Sequence, residues 1–335
     1  MKLKSILGFL RDIVIAAGII GVLLLVIFLY TGNWPPMVVI ESDSMQHGDD
    51  SELGVIDTGD LVLVKELDDH NDLTTYVEGR ATGYETYSEY GDVIIYRKNG
   101  GEDTPVIHRP VLELVLNTTT NISFDIPELA KLEYGKEKDW FISPNRAEPR
   151  WWNLGENHKI HINDYGYRKL KLEIDLFKII KGTFDGKDLH GGYITFGDHN
   201  PTIDQGNLDA LDGKVKPVKT EWIIGKARGE LPWFGIVKLK LSGEVKNEFP
   251  STSIYMIFVT LAVVIALPIV VDFIYHVIKK KIKGDKKTED EKDKKGEDPD
   301  ASSDSSQSSE DESPTSLNET GEEIPIDDNC ANKAE

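Results

Sequence analysis

Residue types that together support serine hydrolysis are spread along this chain. The first are Ser42 and Ser44, within the stretch Val38–His47, which begins as a short apolar strand. A serine hydroxyl attacks a carbonyl only when it has a fixed backbone, a base and donors for the oxyanion. A strand end supplies the fixed backbone, although serines in such places more often cap turns. The pair is therefore a candidate nucleophile only if a base and an acid accompany it.

The candidate base is His108, one of eight histidines in the chain. It interrupts the apolar run Pro105–Val111, where a histidine is out of pattern. An imidazole that acts as a base needs a partner, typically a carboxylate, to fix its tautomer. Asp198 and Asp204 offer two carboxylates on one tight loop after a predicted strand. From the residues alone, the alternatives are a core histidine bound to a backbone carbonyl and a loop that is only a turn.

Composition argues against several other chemistries. The single cysteine, Cys330, lies in a polar tail, so we discard thiol catalysis and an internal disulfide. The sequence has no glycine-rich phosphate loop, and its net charge of −20 argues against a nucleic-acid partner. His158 and His161 belong to an alternating pattern that predicts a strand with the two rings on opposite faces. We therefore expect neither a metal nor a cofactor.

Two apolar segments predict membrane anchors on either side of the candidate residues. Residues 13–31 and residues 253–278 are each long and apolar enough to cross a bilayer as a helix. Basic residues precede the first and follow the second, which places both termini in the cytoplasm. Residues 1–12 are then a cytoplasmic N-terminus. Residues 288–335 contain seventeen acidic residues and four lysines. This composition predicts that the segment 279–335 is a disordered acidic cytoplasmic tail.

The segment between the two spans is predicted to be mainly β. Short β-branched or alternating runs recur between Gly, Asp, Pro and Asn residues. These runs are Leu61–Val64, Val93–Tyr96, Val106–Leu116, Tyr193–Phe196 and Ile236–Leu241. Residues 32–117 and 192–252 would form this domain, with a polar insertion near residues 67–89. Residues 118–191 are too long for a structureless loop, so we expect them to form an inserted subdomain.

Six motifs, taken in order, resemble those of type I signal peptidases. They are Ser42–Met45, Gly59–Val64, Gly91–Tyr96, Pro105–Arg109, Gly197–Asn200 with Asp204, and Ile224–Val237. The resemblance is to the archaeal and endoplasmic-reticulum branch, in which histidine replaces the catalytic lysine of the bacterial enzymes. It implies an antiparallel β catalytic domain between two transmembrane helices. The implied activity is that of a membrane-bound serine endopeptidase that removes signal peptides from exported preproteins after small residues.

Carried over position by position, the resemblance implies a role for each candidate residue. Ser44 is the nucleophile, His108 the general base and Asp204 the acid that orients it. Asp198 takes a neighbouring loop-structuring or auxiliary position, and Ser42 adds its hydroxyl to the oxyanion hole. The expected partners are preprotein signal peptides, the lipid bilayer and the protein-export translocon. The expected location is the cell membrane, or the endoplasmic-reticulum membrane in a eukaryote, with the catalytic domain extracytoplasmic.

Two positions depart from the family pattern. Asp43 stands where the family usually has glycine, and His47 stands where it usually has proline. A carboxylate beside the nucleophile opposes an oxyanion and removes the conformational freedom of glycine. These departures favour the alternative of a catalytically silent, membrane-anchored β domain that binds peptides or scaffolds a secretion complex. A serine peptidase with a lysine base is a third reading, but no lysine occupies the His108 position.

Overall fold

Antiparallel β-sheets dominate the chain. The computed structural model describes residues 3–69, 72–119, 122–183, 189–206, 214–243 and 249–293. The strands are β1 (Met37–Val39), β2 (Leu61–Lys65), β3 (Glu85–Thr86), β4 (Glu89–Tyr90), β5 (Ile94–Tyr96), β6 (Val106–Asn117), β7 (Ser123–Asp125), β8 (Trp140–Ser143), β9 (Lys159–Tyr165), β10 (Leu170–Asp175), β11 (Gly192–Phe196) and β12 (Ile223–Leu231). The helices are α1 (Leu3–Thr31), α2 (Tyr76–Thr82), α3 (Leu176–Thr183), α4 (Gly235–Ser242) and α5 (Ser253–Asp293). By its contacts the chain divides into residues 1–268 and residues 269–335.

The main sheet is a curled half-barrel with the strand order β1-β2-β12-β5-β6-β11, to which β7 adds on β6. The long strand β6 pairs with β5 at its beginning, with β11 along its middle and with β7 at its end. His108 lies opposite Ile94 of β5, whereas the next residue, Arg109, lies opposite Phe196 of β11. This switch of partner brings the loop after β11 beside His108. The prediction of a mainly β, antiparallel domain is confirmed.

One predicted strand is wrong, because residues 236–241 form helix α4. The sequence Ile-Val-Lys-Leu-Lys-Leu alternates as a strand would, but its buried residues are Ile236 and Leu239, three positions apart. That spacing puts both on one helix face, and Ile236 packs with Trp233 and Ile257. Gly243, with φ of 70°, ends the helix in the left-handed conformation. Tertiary packing therefore overrides the alternation, which leaves Leu241 84% exposed.

The inserted residues 118–191 form their own antiparallel sheet, in the order β10-β9-β8. This sheet shares one hydrophobic core with the main sheet rather than enclosing a core of its own. Trp140 and Ile160 of the inserted sheet belong to the same buried cluster as Leu112 and Phe196 of the main sheet. The inserted segment is therefore packed against the strands that carry the candidate residues.

Two helices are long and apolar enough to cross a membrane, by length and composition, at Ile13–Thr31 and Ser253–Lys280. They match the two predicted spans. Helix α5 continues to Asp293, into the segment predicted as a disordered tail, because its run of lysines with acidic residues has good helix propensity. Residues 294–335 of that predicted tail, with Cys330, lie outside the described residues.

Candidate functional site

An apolar groove of about 670 Å³ contains the candidate nucleophile and base. The edge strand β1 and the residues after it contribute one set of lining residues, and the beginning of β6 contributes another. Its lining includes Met37, Val38, Val39, Ile40, Ser42, Ser44, Pro105, Val106, Ile107 and His108. The serine pair and the histidine, far apart in sequence, therefore open onto the same space.

His108 and Asp204 form a close polar pair at the site. His108 Nδ1 lies 2.6 Å from Asp204 Oδ2, and His108 is only 7% exposed. A carboxylate at this distance accepts a hydrogen bond from Nδ1–H, which leaves Nε2 as the unprotonated nitrogen of a neutral ring. The pair therefore has the tautomer that a general base requires.

Asp204 is itself held by two hydroxyl groups. Tyr96 donates to Asp204 Oδ2 over 3.0 Å, and Thr195 Oγ1 donates to the same oxygen over 2.6 Å. Gln205 in turn binds the Thr195 hydroxyl and backbone amide, each over 3.0 Å. Burial, followed by the Asp204 charge, raises the pKa of Tyr96 well above its usual range, so this phenol remains a donor. The Asp204 carboxylate is thus held in place by groups other than the imidazole that it orients.

Gly197 lets the segment that carries Ser44 approach His108. A Cβ at this position would lie 2.7 Å from each of His108 Nε2, Ser44 O and Asn200 Nδ2. Side-chain carbons do not reach such distances without displacing their neighbours, so only glycine fits. The Ser44 carbonyl also accepts the His199 amide over 2.9 Å. The loop after β11 thereby joins the serine segment to the histidine strand.

The backbone around Ser44 is a turn that tolerates Asp43. The Gln46 amide donates to the Asp43 carbonyl over 3.0 Å, and Asp43 is not among the described residues with positive φ. The glycine of the family pattern is therefore not required here for its conformational freedom. Ser42 Oγ lies 3.3 Å from Ser44 Oγ, which puts a second hydroxyl beside the candidate nucleophile.

Asp198 lies apart from the His108–Asp204 pair and binds Arg109. The guanidinium donates from Nε to Oδ1 over 3.1 Å and from Nη2 to Oδ2 over 2.8 Å, and His47 Nε2 lies 3.3 Å from Oδ2. Burial is the largest single influence and raises the pKa of Asp198, but Arg109 and His47 together outweigh it and hold that pKa below its usual range. Asp198 is therefore an anion at neutral pH that organises the loop.

Arg109 links several parts of the site through its side chain. The sequence motifs include this residue but do not predict a role for it. Its side chain is fully buried, and Nη1 donates to the carbonyls of Thr86, Glu89, Tyr90 and Gly91. Burial opposes its charge, yet the Asp198 anion raises the pKa of Arg109. A charged residue directly after His108 in an apolar strand is the signal that predicts such a buried ion pair.

Buried polar residues also bind the segment that carries Ser44 to the neighbouring Gly59–Val64 motif. Gln46 Oε1 accepts the Thr58 hydroxyl over 2.6 Å and the Thr58 amide over 3.1 Å. Asp60 accepts the amides of Asp57 and Trp233 over 2.9 and 2.8 Å. Burial raises the pKa of Asp60 to about 7. These residues hold the Gly59–Val64 motif against the turn that carries Ser44.

No model of a known protein family matches the chain. A comparison with curated proteins likewise returns no significant match. The geometry of the site therefore carries the functional argument.

Proposed function

We propose that this chain is a membrane-anchored serine endopeptidase that cleaves signal peptides from exported preproteins. The main support for this proposal is the 2.6 Å hydrogen bond between Asp204 and His108, at the groove that Ser44 lines. A fixed acid, an imidazole in the correct tautomer and a serine at an apolar groove are the parts that acyl transfer needs.

In the proposed reaction, His108 Nε2 takes the proton of Ser44 Oγ as that oxygen attacks the scissile carbonyl. The Ser44 amide and the Ser42 hydroxyl stabilise the resulting oxyanion. His108 then gives its proton to the leaving amine, the C–N bond breaks and an acyl ester on Ser44 remains. Water, deprotonated by the same imidazole, hydrolyses this ester and restores the hydroxyl. Asp204 stabilises the imidazolium in both halves of the reaction.

The groove supports an extended peptide as substrate. Strand β1 ends the main sheet, with β2 as its one partner in the sheet order, so its other edge can accept a strand. Main-chain hydrogen bonds would supply affinity, and the apolar lining beside Val38 and Ile107 would hold side chains next to the cut. The preference for small residues before the cut comes from the family resemblance.

Contacts at the end of helix α1 support an active site close to the membrane surface. The Thr31 carbonyl at the end of α1 accepts the Glu66 amide over 2.7 Å, and Asn33 Nδ2 donates to the Ile224 carbonyl over 3.0 Å. The groove begins two residues later, at Pro35. With both basic flanks in the cytoplasm, the β domain would lie outside, where signal peptides emerge.

The test uses the full chain in detergent with a preprotein whose signal peptide ends in small residues. We expect a single cut at the signal-peptide boundary and labelling by a serine-directed acylating probe. Ser44→Ala should abolish both. Ser143→Ala is the matched control, because Ser143 Oγ lies 2.9 Å from His161 Nε2 but does not line the groove.

Two outcomes would contradict the proposal. Cleavage that survives Ser44→Ala would exclude the serine mechanism. Binding of the signal peptide without cleavage or labelling would instead support the silent peptide-binding domain that Asp43 and His47 suggest.

A further inference from the structure

The turn between β9 and β10 extends from the inserted segment to the candidate site. Tyr167 and Arg168 lie in this turn, and their side chains contact two loops of the site. One is the serine loop, Ser42–Gly48, and the other is the histidine-side loop, Gly197–Asn200. We infer that Tyr167 and Arg168 are positioning residues that hold these two loops together, an inference whose catalytic part rests on the proposed function.

Tyr167 contacts both loops with one side chain. Its ring stacks on His47 of the serine loop, with centroids 4.2 Å apart and an angle of 17° between the planes. Its hydroxyl lies 3.2 Å from His199 Nδ1 and donates to the Gln46 carbonyl over 3.4 Å. Both loops contact the same Tyr167 side chain. If either loop moves away from Tyr167, its contacts with that side chain are lost.

Arg168 fixes the histidine-side loop through its backbone. Its Nη2 donates to the Asp198 carbonyl over 3.0 Å and also to the Asn200 carbonyl. A charged donor shared by two carbonyls on either side of His199 strongly restricts the loop conformation. That loop carries Gly197, whose position is critical because it lies against both His108 Nε2 and the Ser44 carbonyl.

The same contacts explain why His47 is tolerated where the family pattern has proline. The His47 ring lies between Tyr167, on which it stacks, and Asp198, whose Oδ2 is 3.3 Å from Nε2. Proline would restrict the serine loop through its own backbone, whereas here the inserted turn restricts it through the ring of His47. Tyr167 of the inserted segment and His47, the residue that departs from the motif, thus contact each other directly.

The first test measures the order of the loops without using activity. In the full chain, the His199 amide donates to the Ser44 carbonyl over 2.9 Å and the Asn200 amide to the Gly197 carbonyl over 2.8 Å. Hydrogen exchange at these amides should accelerate about tenfold or more in Tyr167→Ala and Arg168→Ala, as local opening becomes easier. Lys169→Asn is the matched control, since Lys169 is exposed and asparagine tolerates its φ of 52°. Unchanged exchange in both alanine variants would overturn the inference whether or not the protein is a peptidase.

The second test measures preprotein cleavage by the same full-chain variants. We expect kcat to fall about tenfold in Arg168→Ala with KM unchanged within about twofold, because small misplacements of reacting groups are costly. Arg168→Lys should recover part of kcat as a remaining donor, and Lys169→Asn should match the unmodified protein. Equal kcat in Arg168→Ala and the unmodified protein would overturn the positioning role while leaving the proposed function intact. An unmodified protein that neither cleaves nor takes up the acylating probe would instead refute the proposed function, and the exchange measurement would still decide the inference.

Discussion

Two groups of a serine, a histidine and an acidic residue lie in different regions of this protein. The groove group is Ser44, His108 and Asp204, and the sheet group is Ser143, His161 and Glu173 of the inserted strands. In the sheet group, Ser143 Oγ is 2.9 Å from His161 Nε2, but His161 Nδ1 is 3.8 Å from Glu173. That carboxylate is 45% exposed and binds Lys159 over 2.7 Å. The sheet group therefore pairs a serine with a histidine but has no buried acid to fix the imidazole.

The difference lies in the surroundings of each imidazole. Asp204 receives two hydroxyl donors besides His108, whereas the His161 ring stacks on Phe141 with centroids 4.4 Å apart. Burial lowers the pKa of His161, although Glu173 opposes that effect. Only the groove group combines a fixed acid with a space for substrate, so only this group is expected to react.

Removal of each imidazole should have the largest and most unequal effect. His108→Ala should reduce kcat for preprotein cleavage by ~10⁴-fold or more, because the base is lost. His161→Ala should leave kcat within about twofold. Steady-state cleavage by both variants, with circular dichroism to confirm folding, makes the comparison. Equal losses in the two variants would mean that the sheet group takes part in catalysis.

Removal of each acid should have the next largest effect. Asp204→Asn keeps the shape of the side chain but stabilises the wrong tautomer of His108, so kcat should fall by ~10³–10⁴-fold. Glu173→Gln should not change kcat, because Glu173 makes no hydrogen bond to His161 at 3.8 Å. The rates of acylation by the serine-directed probe should follow the same order. A normal rate in Asp204→Asn would remove Asp204 from the mechanism.

Substitution of one glycine in each region tests how closely the groove group is packed. Gly197→Ala puts a Cβ 2.7 Å from His108 Nε2, so we expect a loss of kcat on the order of 10²-fold from displaced groups. Gly155→Ala in the inserted segment meets its nearest atom, the Ile122 carbonyl oxygen, at 3.5 Å and should be nearly silent. The kinetics of the two variants at equal folded fractions decide this point. Full activity in Gly197→Ala would show that the two loops can separate without cost.

The smallest effect concerns how stability changes with pH in the two regions. Burial raises the pKa of Glu128 in the inserted segment from 4.5 to about 8. Between these values the folded protein keeps a proton that the unfolded chain releases, so a rise in pH lowers the free energy of unfolding. The lowered pKa of Asp198 has the opposite sign, and its contribution is lost as pH falls below 3.8 through the folded value.

Glu128→Gln tests this assignment through thermal unfolding of the detergent-solubilised chain. The variant should lose most of the decline in Tm between pH 4.5 and pH 8. At pH 8 its Tm should exceed that of the unmodified protein by several degrees, since ~1 kcal/mol corresponds to about 2–4 °C for a folded unit of about 150–250 residues, the size class of the β domain. A decline in Tm that is as steep in the variant would assign the effect to other groups.

Local sequence patterns predicted most of the fold. Runs such as Val106–Leu116 and Tyr193–Phe196 lie in strands because β-branched and apolar residues suit a buried pleated sheet. The run at 236–241 has an equally regular alternation but forms a helix, because its contacts with Trp233 and Ile257 decide which face is buried. Alternation over six residues cannot distinguish the two outcomes without knowledge of those neighbours.

The apolar spans, the mainly β class and the residue types that could react follow from the sequence alone, because these depend on composition and on neighbours along the chain. The family resemblance implied that Asp204 rather than Asp198 orients His108, and the fold puts Asp204 2.6 Å from that ring. The reach of Tyr167 and Arg168 from the inserted segment to the site is visible only in the tertiary structure. Both carboxylates lie on one short loop, and the turn carries no motif, so their roles depend on distances across strands. Those distances are set by the switch of β6 from one partner to the next and by the shared core, which no local pattern encodes.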